Sequence, residues 1–419
     1  MNTTAEQNIA IKAMMEFLED PLKRMFVLEG PAGTGKTFCM SAFAAQVKGR
    51  LIFTAPTNKA TKVLRDTITT KDYKPECCTT YSLLGLRMEA NGEVKELATP
   101  DETFDLTKYR AIVVDEGSMV NSFLMTYIRA QADAQNLKVI FMGDRCQLPP
   151  VKESRSPIWA IEDRATLSTI MRFDNQILAL SKTIRECQKM MFPRITLRSD
   201  NADGEGVWCL SSSEFREKIL EETSAGLFSR PNGAKAIAWR NQRVHEINSF
   251  IRKRLFANAA EQFWLPTDRI TLTGPAKDLN GEIVATTDDE GTVETVRVHP
   301  HPGFENIKVW SLGVRFDDNR FGQLNVLHAD SQAAYNREKQ QRADAAKMER
   351  RKWKLFWEFC EMFHEARHAY ACTAHRSQGS TYEKAFVDYK DILMNQNRLE
   401  AYQCLYVAAT RPKKELYLA

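Results

Sequence analysis

Apolar positions recur at helical spacing in residues 6 to 19, where Ile9, Met14, Phe17 and Leu18 predict an amphipathic helix. RMFVLEG follows as a short apolar run and reads as a buried strand; GKTFCMSAFAAQV reads as the helix after it. LIFTAPT, AIVVDEGSM and KVIFMGD are further apolar runs that end in polar residues. Alternation of such runs with helical stretches predicts a parallel sheet with crossover helices. Polar residues gather at the carboxyl ends of the runs, where open α/β sheets place their ligands.

The pattern breaks between residues 86 and 106. LRMEANGEVKEL holds Asn91-Gly92 between two short extended runs, a strong hairpin signal. A second α/β series begins near residue 173, with AKAIAW, HAYACTA, KAFVDY and the terminal ELYLA as strands. Residues 271 to 331 interrupt it with β-branched residues and turns, which predict a small antiparallel barrel or meander. Residues 332 to 368 read as a helix or helix pair, charged in the first half and carrying Trp353, Phe356, Trp357 and Phe363 in the second.

Within this frame GPAGTGKT, residues 30 to 37, fits the phosphate-loop pattern between a strand and a helix. Gly30, Gly33 and Gly35, with Pro31, Ala32 and Thr34, let backbone N–H groups wrap a triphosphate. Lys36 reaches the β- and γ-phosphates, and the Thr37 hydroxyl suits Mg²⁺. Asp115 and Glu116 follow the apolar run AIVV. The first carboxylate suits Mg²⁺ and the second a base that orients the attacking water. Gln147, in MGDRCQLPPV, is placed to sense the γ-phosphate, with Pro149-Pro150 stiffening the chain behind it. Arg411, in LYVAATRPKKEL, is a candidate arginine finger supplied by the second α/β series.

Composition changes this picture little. The chain has 419 residues, 43% hydrophobic and 27% charged, with a formal net charge of +4. That length favours more than one domain. The mild basicity permits a nucleic-acid partner without requiring one. Nine cysteines without a C-x-x-C pair argue against a disulfide framework or a zinc site and for a reducing cytosol, that of the host for a viral chain. The first twenty residues resemble neither a signal nor a transit peptide. No run of about 18 apolar residues suggests a membrane span.

The ordered motif set resembles the superfamily 1B helicases, the group of RecD-like, Pif-like and phage Dda-type DNA helicases, and is most similar to the Dda type. TAEQ is similar to the Q motif and GPAGTGKT to motif I. TAPTNKA, TTYSLLG and VVDEGSM follow as motifs Ia, Ib and II. GDRCQLPPV resembles motif III, LSTIMRFDNQI motif IV, TAHRSQGST motif V and YVAATR motif VI. The resemblance implies two tandem RecA-like P-loop domains. The first spans 1–85 and 107–172 around a β-hairpin pin at 86–106. The second spans 173–270 and 369–419 around an SH3-like β plus helical insert at 271–368.

The same resemblance implies residue roles. Gln7 would read adenine, Arg172 and Arg411 would reach the γ-phosphate, and Gly379 would lie near it. Thr57, Asn58, Thr80, Asn241, Thr373 and His375 would face single-stranded DNA. ATP and Mg²⁺ are the implied cofactors. The implied partners are single-stranded and forked DNA, with replication or recombination proteins, for a monomeric enzyme moving 5′ to 3′. Two residues depart from the family pattern: Gly117 where Ala or a small branched residue is usual, and Tyr81 where His is common. Rival readings are a nucleotide kinase, a DNA-stimulated ATPase that remodels protein–DNA complexes without unwinding, and an RNA helicase.

Overall fold

The computed structural model describes residues 3–70, 73–88, 94–96, 105–169, 176–189, 197–202, 204–278 and 281–419. The chain divides into two compact units, one of residues 1–211, 237–240 and 373–419, the other of 212–236 and 241–372.

The first unit opens with helix α1 (Ala5–Glu19), started by a capping box. Thr4 accepts from the Gln7 N–H, and the Gln7 side chain reaches back to the Thr4 N–H. The helix buries Ala10, Ile11, Met14, Phe17 and Leu18, whereas Ile9, expected on that face, is 70% exposed. Ile9 sits one position to the side of the stripe.

Strand β1 (Met25–Glu29) and helix α2 (Lys36–Ala44) come next, then β2 (Arg50–Ala55), α3 (Asn58–Ile68), β3 (Glu76–Thr79) and the short α4 (Thr80–Leu83). β4 (Leu86–Met88) and β5 (Val94–Glu96) pair antiparallel. The Asn91-Gly92 tip expected between them lies outside the described residues. After β6 (Tyr109–Val114), α5 (Ser122–Ala134), β7 (Lys138–Gly143) and β8 (Arg164–Thr166), the sheet is complete in the order β3-β2-β6-β7-β1-β8. Every pairing in it is parallel.

Both faces of this sheet are covered, which is why its strands are continuous apolar runs rather than alternating ones. Phe26, Leu28, Phe53 and Val113 pack on the face with α1, α2 and α3. Val27, Ile52, Ile112 and Phe141 pack on the other with α5 and Trp159.

Helix α6 (Gln176–Lys189) leads to β9 (Asp200–Ala202) and β10 (Glu205–Cys209). α7 (Ser212–Ser224), β11 (Ala234–Ala238) and α8 (Asn241–Leu255) follow. In the second unit β12 (Arg269–Leu272), the small pair β13 (Ala276–Lys277) and β14 (Ile283–Ala285), the long β15 (Glu290–His301) and β16 (Phe304–Phe316), and β17 (Phe321–Leu327) come in succession. β15 and β16 form one long antiparallel hairpin. α9 (Gln332–Met348), α10 (Trp353–Glu361) and β18 (Ala366–His368) complete this part. The helix pair expected over 332–368 therefore ends at Glu361. Ala366–His368 is extended instead, because it pairs antiparallel with β12 in the sheet β17-β16-β15-β12-β18. Trp264, Ile270, Leu312 and Val314 are at its core.

The chain closes with β19 (Ala371–Thr373), α11 (Ala374–Ser377), β20 (Tyr382–Val387), α12 (Tyr389–Leu393), α13 (Arg398–Ala409) and β21 (Pro412–Leu418). In the first unit β20 and β21 join β10 and β9 in a second sheet. β21 lies parallel to both β20 and β10, and β9 is an antiparallel edge. Asp388 N–H bonds Ile237 O, so the end of β11 lies beside β20. No described helix is long and apolar enough to cross a membrane.

Candidate nucleotide site

The phosphate loop joins β1 to α2. Gly33 has φ 85° and Gly35 φ 76°, left-handed values that favour glycine. Gly35 is also crowded: a Cβ there would lie 2.7 Å from Gln7 Nε2. Lys36 Nζ donates to Gly30 O at 2.7 Å and Pro31 O at 3.0 Å, so the ammonium is folded back over its own loop. Thr34 is buried, and its carbonyl accepts from Gln7 Nε2 at 3.3 Å. Gln7 itself is 3% exposed, its amide engaged at both ends by Thr4 and Thr34. The motif residue expected to read a base thus also fixes the loop that would hold the phosphates. Thr37 is half-buried in the first turn of α2.

Asp115 continues from β6, where its N–H bonds Thr54 O at 2.8 Å. Its Oδ1 accepts from the Glu116 N–H at 2.8 Å. Glu116 has φ 48° and ψ 41°, an uncommon conformation for a residue with a Cβ. Burial, and then the charge of Glu116, push Asp115 up to about 7; the Glu116 N–H and the Lys36 charge oppose this. Gly117 follows, packed so tightly that a Cβ would meet Ile158 Cδ1 at 2.8 Å and Met142 O at 3.0 Å. The departure from the family pattern at this position is therefore matched by Ile158.

Gln147 is 5% exposed and lies in the turn after β7, its N–H on Asp144 O at 3.1 Å. Gln378, from the turn after α11, donates to Gln147 Oε1 at 3.1 Å and to Ser118 Oγ at 3.4 Å. Gly379 comes next with φ 75°, and a Cβ on it would lie 3.8 Å from Glu116 Oε1. Tyr406 on α13 donates to Asp144 Oδ2 at 2.6 Å. Gln188 on α6 donates to Cys146 O at 3.2 Å and Tyr402 O at 3.4 Å. Elements of the two sheets thus meet around the phosphate loop and the acidic pair.

Arg411 is 4% exposed. Its guanidinium donates to Val407 O at 2.8 Å, Ser380 O at 3.0 Å and Thr410 Oγ1 at 2.9 Å. Burial pulls its pKa down, and the nearby Glu116 charge opposes the shift. Arg172 lies outside the described residues.

The residues expected on a DNA face divide by exposure. Thr57 caps α3, accepting from the Ala60 N–H at 3.2 Å, and Asn58 opens that helix; both are half-buried. Thr373 caps α11 in the same way through Arg376 N at 3.3 Å. His375 has 42% of its side chain exposed and pairs with Glu400 at 3.4 Å. Thr80 is fully buried, and its hydroxyl bonds Thr54 Oγ1 at 3.3 Å. It supports the ends of β2 and β3 rather than presenting a hydroxyl to solvent. Asn241, in the second unit, opens α8.

Asp144, Gln378, Tyr406 and Ser118 were not singled out by sequence reasoning. All four lie inside motifs (GDRCQ, HRSQG, YVAATR and VVDEGSM), Asp144 and Gln378 in the first two. Their partners are 262 and 231 residues away, so neither bond has a local signature.

A parallel sheet that carries a phosphate loop, faced by helices of a second α/β sheet, defines a P-loop ATPase built from two RecA-like sheets. Comparison with known proteins agrees. A family model for an AAA domain matches residues 2–194, and one for a UvrD-like helicase C-terminal domain matches 368–419. The ATP-dependent DNA helicase dda of Enterobacteria phage T4 is 24% identical over 98% of this chain and 96% of its own length. Among solved structures, Pif1 helicase from Bacteroides bound to single-stranded DNA superposes with a TM-score of 0.56. It has 16% identity and covers 100% of this chain and 92% of that one. A structure of two coordinating Pif1 helicases at forked double-stranded DNA gives 0.57, with the same identity and coverage. Taken together, these likenesses support an ATP-dependent, Pif1-like helicase of superfamily 1B.

Proposed function

We propose that this chain is an ATP-dependent DNA helicase that moves 5′ to 3′ on single-stranded DNA and separates duplex ahead of it. The observation that carries the reading is the bond from Gln378 to Gln147, because it joins motif V on the second sheet to motif III on the first. A nucleotide held between such elements changes how they meet, and a strand gripped by both sheets is moved when they shift.

Gln7 and residues 30–37 would hold ATP, with Lys36 turning from the loop carbonyls to the β- and γ-phosphates. Glu116 would orient the attacking water. Gln147 would register the γ-phosphate, with Gly379 beside it. Arg411 and Arg172 would stabilise charge on the transferring phosphoryl. Thr37 and Asp115 are hard oxygen donors suited to Mg²⁺, and the crowding of Asp115 against Glu116 is relieved by a bound cation. That ion, when bound, would supply charge neutralisation at the phosphates. Thr57, Asn58, Thr373, His375 and Asn241 are the proposed strand contacts, with Thr80 behind them as support. We assign the β4–β5 hairpin as the strand-separating pin and residues 271–368 as an SH3-like insert with a helical arm. Replication or recombination proteins are the proposed protein partners.

The test is displacement of a labelled strand from 5′-tailed and 3′-tailed duplexes, in DNA and RNA versions, with Lys36→Ala as the inactive control. Unwinding of the 5′-tailed DNA duplex alone is the expected result. Unwinding of RNA, or of the 3′-tailed duplex, overturns the substrate or the polarity. DNA-stimulated hydrolysis with no displacement would instead favour a remodelling ATPase.

A further inference from the structure

We infer that Tyr406 is a positioning residue for ATP hydrolysis, tying the helix that leads to Arg411 to Asp144 and the phosphate loop. The inference rests on the ATPase reading above and gives Tyr406, the first residue of YVAATR, a role that reading did not assign.

Tyr406 and Asp144 are both buried, at 1% and 0% exposure. The Tyr406 hydroxyl donates to Asp144 Oδ2 at 2.6 Å. The Ala32 N–H, in the phosphate loop, reaches Asp144 Oδ2 at 3.0 Å and Tyr406 Oη at 3.2 Å. The Cys146 N–H satisfies Asp144 Oδ1 at 3.0 Å. The guanidinium of Arg185 lies 5.9 Å from the centre of the Tyr406 ring. One carboxylate thus gathers the phosphate loop, the turn before Gln147 and helix α13. Hydrogen bonds to a buried charge are the stronger kind. Burial and the Asp144 charge push the Tyr406 hydroxyl well above its usual range, so it remains a donor.

Tyr406 lies in the last turn of α13, five residues before Arg411, which follows the C-cap residue Thr410. Thr410 caps α13, and Arg411 bonds back to Val407 O. The position of the Arg411 guanidinium is therefore carried by the same turn of helix that Tyr406 anchors. A displacement of about 1 Å at a reacting group costs on the order of 100-fold in rate. A tyrosine that merely fills space would act on stability and leave the chemistry alone.

The test is a double-mutant cycle on the full chain, using single-turnover and steady-state hydrolysis of ATP with single-stranded DNA present. Tyr406→Phe should lower kcat about 10-fold or more while changing KM for ATP less than about 3-fold. In an Arg411→Ala background the same change should cost nothing further, because the group it positions is gone. Should Tyr406→Phe lower the thermal midpoint markedly, the near-isosteric Asp144→Asn replaces the charge-assisted bond with a neutral one and should show the same non-additivity. Losses that multiply, a rise in KM alone, or an unchanged kcat would each overturn the assignment. A wild-type chain without DNA-stimulated hydrolysis would overturn the helicase reading instead.

Discussion

Gln378 donates one side-chain amide to both Gln147, at 3.1 Å, and Ser118, at 3.4 Å. Gln378 belongs to the turn after α11, Gln147 to the turn after β7, and Ser118 to the turn after the acidic pair. A single amide therefore reports on both first-sheet turns at once. Gln378→Ala should leave ATP affinity near wild type and lower DNA-stimulated kcat by about 10-fold, the effect of losing roughly 1.4 kcal/mol of transition-state positioning. Steady-state kinetics with and without single-stranded DNA checks this; a fall in affinity with kcat unchanged would make Gln378 a ground-state ligand.

Arg411 is held by three acceptors on its own side of the site. Lysine has no planar fork to meet them together. Both Arg411→Ala and Arg411→Lys should cut hydrolysis by about 10³-fold while changing ATP affinity much less. Equilibrium nucleotide binding beside single-turnover hydrolysis separates the two quantities. Recovery by lysine would show that charge, without the geometry, is sufficient.

Gly117 meets Ile158 and the Met142 carbonyl where a side chain would begin. Gly117→Ala should destabilise the first unit by about 1–3 kcal/mol through overpacking. Ile158→Val removes the nearer obstacle and should recover part of that loss, whereas the fixed Met142 carbonyl keeps recovery incomplete. Chemical denaturation of the single and double variants is the measurement. A neutral Gly117→Ala would mean that the turn relaxes freely.

His368, in the second unit, has its ring Nε2 3.0 Å from Phe263 O. Burial lowers its pKa to about 4, against an ordinary 6.5, and the Asp268 charge opposes the shift. The folded state therefore favours the neutral ring. Its contribution to stability is complete above about pH 6.5 and is lost as pH falls towards 4, with a ceiling of about 3 kcal/mol. Thermal midpoints measured from pH 7 to pH 4.5 should fall, and His368→Gln should flatten that fall. An unchanged slope in the variant would assign the acid sensitivity to other groups.

Hydrophobic pattern alone determined much of the architecture. The runs around VLEG, FTAP, VVDE and FMGD are apolar throughout because both sheet faces are covered, and each emerged as a parallel strand with its polar residues at the carboxyl end. The phosphate loop was legible for a local reason: its glycines, lysine and threonine act through the backbone that they themselves shape. Ile9 and residues 366–368 depart from the pattern because burial of one helical position, and pairing of a three-residue strand with β12, depend on neighbours distant in sequence.

Only the tertiary structure decided which residues join the two sheets. Gln7 lies in a motif expected to read a base, and in the fold it braces Thr34. Thr80 sat in a strand-facing motif and is buried against Thr54. Tyr406, Asp144 and Gln378 stand inside motifs, but nothing local to those motifs says which distant group each side chain bonds. A hydrogen bond between groups more than 200 residues apart leaves no periodicity in the chain; it exists only once packing has removed both partners from water and left each the other's acceptor or donor.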